Sequence, residues 1–232
     1  MREERFFTKP RIIVRQIVSG KPPRIYAGYT EESLYFTQIG FAIIPYKNNN
    51  IKYILTLINS KLLTYYHKFQ YLDIEKDLFQ KILIANCKQL PIKETSKESQ
   101  IIFIEKADTI LEFNEKINSV LIKFTKYLQS QLSIETLPKK LQNWHELEFG
   151  EFIKEVNKAI KKENKERVKV EKTPIATLTK TDEMDWMDVF ETKKAEAQTL
   201  KAQIDKTDNE IDQMIYELYE LTESEIKIVE EN

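Results

Sequence analysis

Residues 11–18, Arg11-Ile12-Ile13-Val14-Arg15-Gln16-Ile17-Val18, predict a β-strand at the beginning of the chain. The stretch is rich in β-branched residues, and the turn sequence Ser19-Gly20-Lys21-Pro22-Pro23 closes it. Three shorter strand candidates follow at residues 24–27, 33–37 and 41–44, and the first can return as a partner strand. We therefore expect a β-rich leading part.

Helical spacing begins after these strands. Apolar residues at positions 51, 54, 55, 58, 62 and 65 have the spacing of a helix that packs on the sheet. A second helix is expected over residues 77–84 and an extended segment over residues 88–92. Polar residues 93–100 predict a boundary, so residues 1–98 form the first domain.

Residues 99–232 predict a helical region. Apolar residues recur in a 3-4 heptad rhythm from Phe103 to Tyr127 and again from Phe190 to Leu221, a coiled-coil-like pattern. We expect long helices near residues 101–132 and 184–221, and a shorter helix near residues 150–162. The long helices run antiparallel, because the segment between them is long enough to return the chain. The predicted fold class is α+β, a small mixed β-rich domain with packed helices followed by this helical region.

Charge is unevenly distributed along the chain. The sequence has 36 Lys+Arg and 37 Asp+Glu, a net charge of −1. Residues 1–100 hold 16 basic and 9 acidic residues, a net of +7, and residues 101–232 hold 20 and 28, a net of −8. Such an asymmetry is compatible with a polyanionic partner for the basic part. The alternatives are that the two parts attract each other or that the charges only solvate the surface.

Composition excludes several classes of site. Four isolated glycines cannot form a glycine-rich phosphate loop. Cys87, the single cysteine, excludes an internal disulfide, and His67 and His145 lack the spacing of a zinc site. No apolar run reaches the ~18 residues of a membrane helix, and the N-terminus lacks a signal-peptide pattern. We expect a cytoplasmic protein whose chain holds no cofactor and no metal.

The basic strand has side chains suited to DNA. Arg11 and Arg15 are four residues apart and share one face of the strand, with Gln16 on the other face. Arginine and glutamine can form bidentate hydrogen bonds with guanine and adenine edges. The sequence leaves open which face is buried.

Several motifs, in their order along the chain, resemble one family. They are residues 9–17, 57–63, 88–92, 183–190 and 210–226. The last, EIDQMIYELYELTESEI, is the most specific, being similar to a terminal IDxxVYxLYxLTxxEI run. Together they resemble the C-terminal target-recognition region of type IIG restriction-modification proteins, the TaqI-like specificity domain.

This resemblance implies a division of labour. In the family this region reads the DNA sequence, while an adenine-specific methyltransferase domain, and often a nuclease domain, lies upstream. The chain has no Asn-Pro-Pro-Tyr motif, so the resemblance implies no enzyme activity of its own. S-adenosylmethionine and Mg²⁺ are expected only in the catalytic partner, which is a methyltransferase/endonuclease domain or subunit. The chain is then an excised domain or a separate specificity subunit that binds double-stranded DNA.

The resemblance also assigns candidate contacts. Base contacts are expected from Arg11, Arg15, Gln16, Arg24 and Gln38, and phosphate contacts from Lys21, Lys61 and Lys68. The helical region acts as a spacer and docking surface for the catalytic partner, and its acidic surface makes it a poor DNA ligand.

Two other functions compete with this one. A helical protein–protein assembly module would use the seams of the long helices and would not bind DNA. A metal-dependent nuclease would need clustered carboxylates, and the candidates are Asp188, which ends the acidic run 182–188, and Glu191. That run is better interpreted as the first turn of a helix, where carboxylates are favoured.

Overall fold

The computed structural model describes residues 3–17, 24–37, 39–45, 49–72 and 81–232. The strands are β1 (Arg11–Arg15), β2 (Ala27–Thr30) and β3 (Gly40–Ile43). The helices are α1 (Arg5–Thr8), α2 (Ile51–Asn59), α3 (Lys61–Tyr71), α4 (Ile84–Cys87), α5 (Lys97–Leu132), α6 (Lys139–Gln142), α7 (Phe149–Lys169), α8 (Lys180–Leu218) and α9 (Glu223–Glu230). Two compact units result. Unit 1 is Met1–Ile110 with Lys206–Asn232, and unit 2 is Leu111–Asp205.

Unit 1 is built on an antiparallel sheet of order β2-β1-β3. Ile12 and Val14 lie on the same face of β1, because side chains alternate along a strand, and both are fully buried. They belong to a core with Leu55 and Ile58 of α2. The apolar face of the sheet therefore packs on α2.

Two helices, α2 and α3, replace the single helix expected up to residue 65. Ser60 separates them, because its hydroxyl donates to the Leu57 carbonyl at 2.7 Å and accepts the Leu63 N–H at 3.1 Å. Ser60 thus caps the start of α3. Leu57 and Leu63 are both buried on either side of the break. Apolar spacing continues through the break, which is why the pattern predicted one helix.

A second core in unit 1 joins α2 and α3 to the long helices. Tyr53 and Leu63 pack in one cluster with Phe103 of α5 and Ile215 of α8. Lys106 of α5 also forms an ion pair of 2.5 Å with Glu210 of α8. Unit 1 consequently includes the C-terminal residues from 206 onward, although the sequence placed the end of the first domain at residue 98.

Helix α9 completes unit 1. Thr222 and Glu225 form a capping box at its N-terminus, in which each side chain accepts the other residue's main-chain N–H. Val229 is buried, and α9 contacts α3. Helix α9 therefore packs on α3 within unit 1.

Unit 2 has a separate aromatic core. Phe124 of α5 and Phe190 of α8 have ring centroids 6.5 Å apart, and Phe152 of α7 lies 4.5 Å from Phe190. Trp144, fully buried between α6 and α7 in the chain, lies 4.1 Å from Phe124. Three helices thus enclose one apolar interior.

The helices α5 and α8 run antiparallel within unit 2. Tyr127 contacts Trp186 at 5.6 Å, whereas Phe124 contacts Phe190, so residue numbers rise along one helix as they fall along the other. The predicted α+β class, a small sheet followed by long antiparallel helices, is confirmed. The long helices were expected at residues 101–132 and 184–221. In the structure they begin four residues earlier, at Lys97 and Lys180, and end at Leu132 and Leu218.

Several shorter predictions differ from the structure. The strand predicted at residues 33–37 is wrong, because the segment has no strand pairing. Its Leu34 N–H donates to the Phe7 carbonyl of α1 at 3.1 Å, and Leu34 and Tyr35 are exposed. The partner of β1 begins at Ala27 rather than at residue 24. Residues 88–90 form a turn after α4 instead of extended backbone.

The helix expected over residues 77–84 lies mostly outside the described residues. Within the described residues, no helix combines the length and the apolar character that a membrane crossing requires.

Candidate nucleic-acid interface

The sheet has an outer face, on the side away from α2. Ile13 lies at its centre and pairs with Gly28 of β2 and Ala42 of β3. Gly28 is exposed, and a Cβ placed there would meet nothing within 4 Å. Arg11 and Arg15 flank Ile13 on this same face. The structure therefore answers the question left by the sequence, since the arginine face of β1 is the outer one.

Arg11 is buried although it lies on the outer face. Its guanidinium donates hydrogen bonds to the main-chain carbonyls of Lys9 at 2.8 Å, Glu32 at 2.7 Å and Leu34 at 3.3 Å. Its side chain has no solvent exposure. In this structure Arg11 holds the segment after β2 in place, and a base contact would require these bonds to break.

Arg15 is the exposed arginine of the outer face. It ends β1, and its main-chain N–H donates to the Tyr26 carbonyl at 2.9 Å. Among the described residues its guanidinium has no ion pair or hydrogen bond. Five N–H donors in a planar fork are therefore available to a base edge or a phosphate.

Gln16 is half-buried and follows β1 directly. Its main-chain N–H donates to the Ile39 carbonyl at 2.8 Å, and its carbonyl accepts the Ile82 N–H at 2.9 Å. These bonds hold the main chain next to Arg15 between the segments that contain Ile39 and Ile82. They leave the Gln16 amide without an assigned partner among the described residues.

Arg24 forms an ion pair inside unit 1. Its Nη1 lies 2.6 Å from Asp208 Oδ2 of α8, and its Nε and Nη2 donate to the Asn59 carbonyl at 3.0 and 2.5 Å. Burial by itself would lower the pKa of Arg24, but the hydrogen bond and the charge of Asp208 outweigh it and raise the pKa. Arg24 links the segment before β2 to α2 and α8.

Lys61 and Lys68 contact the C-terminal end of the chain. Lys61 Nζ lies 2.7 Å from Glu230 Oε2 and 3.8 Å from Asp212 Oδ2. Lys68 Nζ donates to the Asn232 main-chain carbonyl at 3.1 Å and lies 5.1 Å from the centre of the Phe69 ring. Both lysine residues are partly exposed. The two remaining candidates, Lys21 and Gln38, lie outside the described residues.

Asp212 is a buried carboxylate that sequence reasoning missed. It is 1% exposed, and its Oδ1 accepts the main-chain N–H of Lys61 at 2.9 Å, at the first turn of α3. Its Oδ2 has no hydrogen-bond partner. Burial raises the pKa of Asp212 to about 6, against the lowering effects of the Lys61 N–H and of Arg24. The only sequence signal was its place within the tail motif, which says nothing about contact with α3.

The ion pairs of unit 1 explain the uneven charge of the sequence. Basic residues of the leading part pair with acidic residues of later helices, as in Arg24–Asp208, Lys61–Glu230, Lys93–Glu220 and Lys52–Asp108. This is the mutual attraction that the sequence left open as one alternative. It leaves Arg15 as the exposed, unpaired arginine of the outer face within the described residues.

An exposed aromatic segment lies beside the outer face. Tyr35 is 77% exposed and stacks on Phe7 of α1 with ring centroids 5.1 Å apart. Phe36 contacts the same Phe7 ring, and its Cδ2 would lie 3.9 Å from a Cβ added at Gly40 of β3. The segment fixed by Arg11 therefore covers the β3 side of the outer face and leaves the Gly28 side open.

The histidines and the cysteine are packing residues here. His67 is buried, and burial lowers its pKa to about 4. Cys87 is partly buried, and burial raises the pKa of its thiol to about 11, so the nucleophilic thiolate is scarce at neutral pH. In the part of the chain that the structure describes, no group of three or more His, Cys, Asp or Glu residues could hold a metal ion.

Two family models match the chain. The family described as TaqI-like C-terminal specificity domain matches residues 1–92, which contain the whole sheet. The family described as Domain of unknown function (DUF8810) matches residues 95–215, which contain α5, α7 and most of α8. No curated protein and no solved structure matches the chain significantly.

Proposed function

Because the chain belongs to the DUF8810 family and its residues 1–92 are a TaqI-like C-terminal specificity domain, we propose that it is the sequence-specific DNA recognition module of a restriction-modification system. The match of residues 1–92 is the observation that carries this proposal. A specificity domain selects the DNA site and performs no chemistry itself, so the chain is not assigned an enzyme activity.

The outer face of the sheet supports this function. An exposed arginine beside an open glycine surface suits a base edge, because guanidinium forms two parallel hydrogen bonds with O6 and N7 of guanine. Arg15 is therefore the first candidate for base readout, and Gln16 is the second. The remaining candidates, Arg11 and Arg24, support the surface through their hydrogen bonds and ion pair.

Lysines supply register and affinity in this proposal. Lys61 and Lys68 are partly exposed. When the duplex binds, Lys61 would exchange the Glu230 carboxylate oxygen for a phosphate oxygen, and Lys68 would exchange the Asn232 carbonyl oxygen for one. Lysine contacts of this kind carry no sequence information, and their contribution falls as salt concentration rises.

The reaction on the DNA belongs to a partner in this proposal. An adenine-specific methyltransferase/endonuclease of the type IIG class, as a fused domain or a separate cytoplasmic subunit, would hold S-adenosylmethionine and Mg²⁺. The recognition module would direct that partner to its target.

In vitro selection tests the proposal. The purified chain is incubated with a randomised duplex library, and bound duplexes are sequenced after several rounds. We expect one enriched motif, and for Arg15→Ala we expect discrimination at one base pair to fall by ~1–3 kcal/mol. Arg5→Ala is the matched control, since Arg5 is also exposed but pairs with Glu3 at 2.7 Å.

The contrary results are equally definite. A parent chain that enriches no motif contradicts the proposed function. A motif that Arg15→Ala and Arg5→Ala both leave intact contradicts the assignment of Arg15 to base readout.

A further inference from the structure

The outward face of α7 carries a row of lysines, which we call the lysine stripe. Its members are Lys154, Lys158, Lys161, Lys162, Lys165 and Lys169, and all six are exposed. At about 100° per residue, these positions fall within a sector of about 100° on the helix. Phe152, Val156 and Ile160, which are fully buried, lie on the opposite side. The stripe is thus the solvent face of α7.

The stripe has the length of a DNA contact surface. From Lys154 to Lys169 the helix rises by roughly 22 Å at 1.5 Å per residue. Double-stranded DNA carries one negative charge per ~1.7 Å of its axis. Several phosphates of one duplex can therefore lie within reach of the six amino groups.

Two members of the stripe form ion pairs with carboxylates of α7, and the charge of Lys154 also acts on Glu155. Lys158 pairs with Glu155 at 2.7 Å and Lys169 pairs with Glu166 at 2.8 Å. Among the described residues, no ion pair involves the other four members, which are Lys154, Lys161, Lys162 and Lys165.

Several other lysines of unit 2 form ion pairs within their own helix. Lys116 pairs with Glu112 within α5, and Lys193 and Lys201 pair with Glu196 and Asp205 within α8, each three or four residues away. Such pairs at one helical turn keep a solvated face electrically neutral. Four members of the stripe lack such a pair, as do the exposed Lys123, Lys126, Lys139 and Lys172 elsewhere among the described residues of unit 2.

The expectation of an acidic helical region does not hold for unit 2. Residues 111–205 contain 17 basic and 17 acidic residues, a net charge of zero. The excess of negative charge lies in residues 101–110 and 206–232, which hold 3 basic and 11 acidic residues and belong to unit 1. Apart from the six lysines of the stripe, unit 2 holds 11 basic and 17 acidic residues, so the positive charge of this unit is concentrated on the stripe.

We propose that the lysine stripe binds the phosphate backbone of double-stranded DNA without reading its sequence. The proposal rests on the proposed function only for the choice of duplex DNA as the polyanion. It assigns a DNA contact to residues matched by the DUF8810 family. Affinity from the stripe adds equally to target and non-target duplexes, because phosphates are the same in both.

The test compares two triple variants of the full chain. The stripe variant is Lys154→Gln, Lys161→Gln and Lys165→Gln, and the control is Lys116→Gln, Lys193→Gln and Lys201→Gln. Both remove three positive charges from unit 2, where Lys193 of the control is half-buried and the other five lysines are exposed. Glutamine keeps a helix propensity close to that of lysine. Far-UV circular dichroism verifies that both are folded. Fluorescence anisotropy then measures binding to a selected duplex and a scrambled duplex at a series of salt concentrations.

The expected result concerns affinity and salt dependence together. For the stripe variant, affinity falls by the same factor on both duplexes, and the slope of log K against log salt decreases in magnitude by about 3, one for each lysine. The control keeps the parental slope to within ~1.

Two results would contradict the proposal that the lysine stripe binds DNA. One is a stripe variant that matches the control in affinity and slope on both duplexes. The other is a parent chain that binds polyglutamate through the stripe but binds no duplex. A third result would contradict only the proposed function. In that case the parent binds both duplexes equally, and the stripe variant binds both more weakly.

Discussion

Two arginines on the same face of β1 occupy opposite environments. Arg11 is buried with three carbonyl partners, whereas Arg15 is exposed. We expect Arg11→Ala to lower the free energy of unfolding by roughly 2–4 kcal/mol, because buried carbonyls lose a charged donor. Urea unfolding followed by far-UV circular dichroism measures the change.

Arg15→Ala is the control in the same strand. As an exposed side chain, Arg15 should change the free energy of unfolding by no more than ~0.5 kcal/mol. Equal effects of the two substitutions would show that the buried guanidinium of Arg11 has no stabilising role.

Asp212 predicts a dependence of stability on pH. Burial raises the pKa of its carboxyl from 3.8 to about 6, so between these values the folded state binds more protons than the unfolded state. Stability contributed by the protonated form is then lost as the pH rises through about 6. The free energy of unfolding of Asp212→Asn, relative to that of the parent, should therefore rise by about 2 kcal/mol from pH 4 to pH 7.

The measurement uses the difference between variant and parent, because His67 acts in the opposite direction. Burial lowers the pKa of His67 to about 4, below its ordinary value of 6.5, so its contribution to stability is lost as the pH falls through that interval. Asp188→Asn serves as the control, since Asp188 is an exposed carboxylate of the same helix, α8. A variant-minus-parent difference for Asp212→Asn that stays flat from pH 4 to pH 7 would refute the assignment.

The site was only partly predictable at the residue scale. Strand alternation correctly placed Arg11 and Arg15 on one face, because that property is local. Burial of Arg11 depends on Glu32 and Leu34, and the ion pair of Arg24 depends on Asp208, which is 184 residues away. Contacts of that separation leave no trace in spacing or composition.

At the scale of elements, Ser60 decides where α2 ends and α3 begins. Its hydroxyl accepts the Leu63 N–H and so satisfies a main-chain donor in the first turn of α3. We expect Ser60→Ala to lower the free energy of unfolding by ~1 kcal/mol, the usual cost of losing an N-cap. Urea unfolding checks this value. Ser60→Asp, which keeps an acceptor, should recover part of the loss, and no recovery would contradict the capping role.

Long helices were predictable where short strands were not. The apolar rhythm of α5 and α8 repeats over several heptads, so the sequence pattern alone was strong enough to predict both helices. The predicted strand at residues 33–37 had only five residues of local composition to support it. Phe7 and Arg11 decide the conformation there, and neither belongs to that segment.

At the scale of the whole molecule, the charge asymmetry disappears once the chain is divided by unit. Residues 1–100 carry +7 and residues 101–110 with 206–232 carry −8, which gives −1 for unit 1. Unit 2 is neutral. The sequence therefore indicated a basic domain followed by an acidic one, whereas folding pairs the two signs inside unit 1. Under the proposed function, affinity for DNA would then come from local surfaces such as Arg15 and the lysine stripe.

The same division predicts which fragments fold. Residues 1–98 alone would leave Tyr53 and Leu63 without Ile215 of α8, exposing an apolar surface that is buried in the intact chain. We expect this fragment to bind the dye ANS and to lack a cooperative thermal transition. A chain that joins Ile110 to Lys206 by a short linker should melt cooperatively. The ion pair of Lys106 with Glu210 holds α5 and α8 together next to the joined residues. Cooperative melting of residues 1–98 without ANS binding would show that α8 is dispensable for the recognition domain.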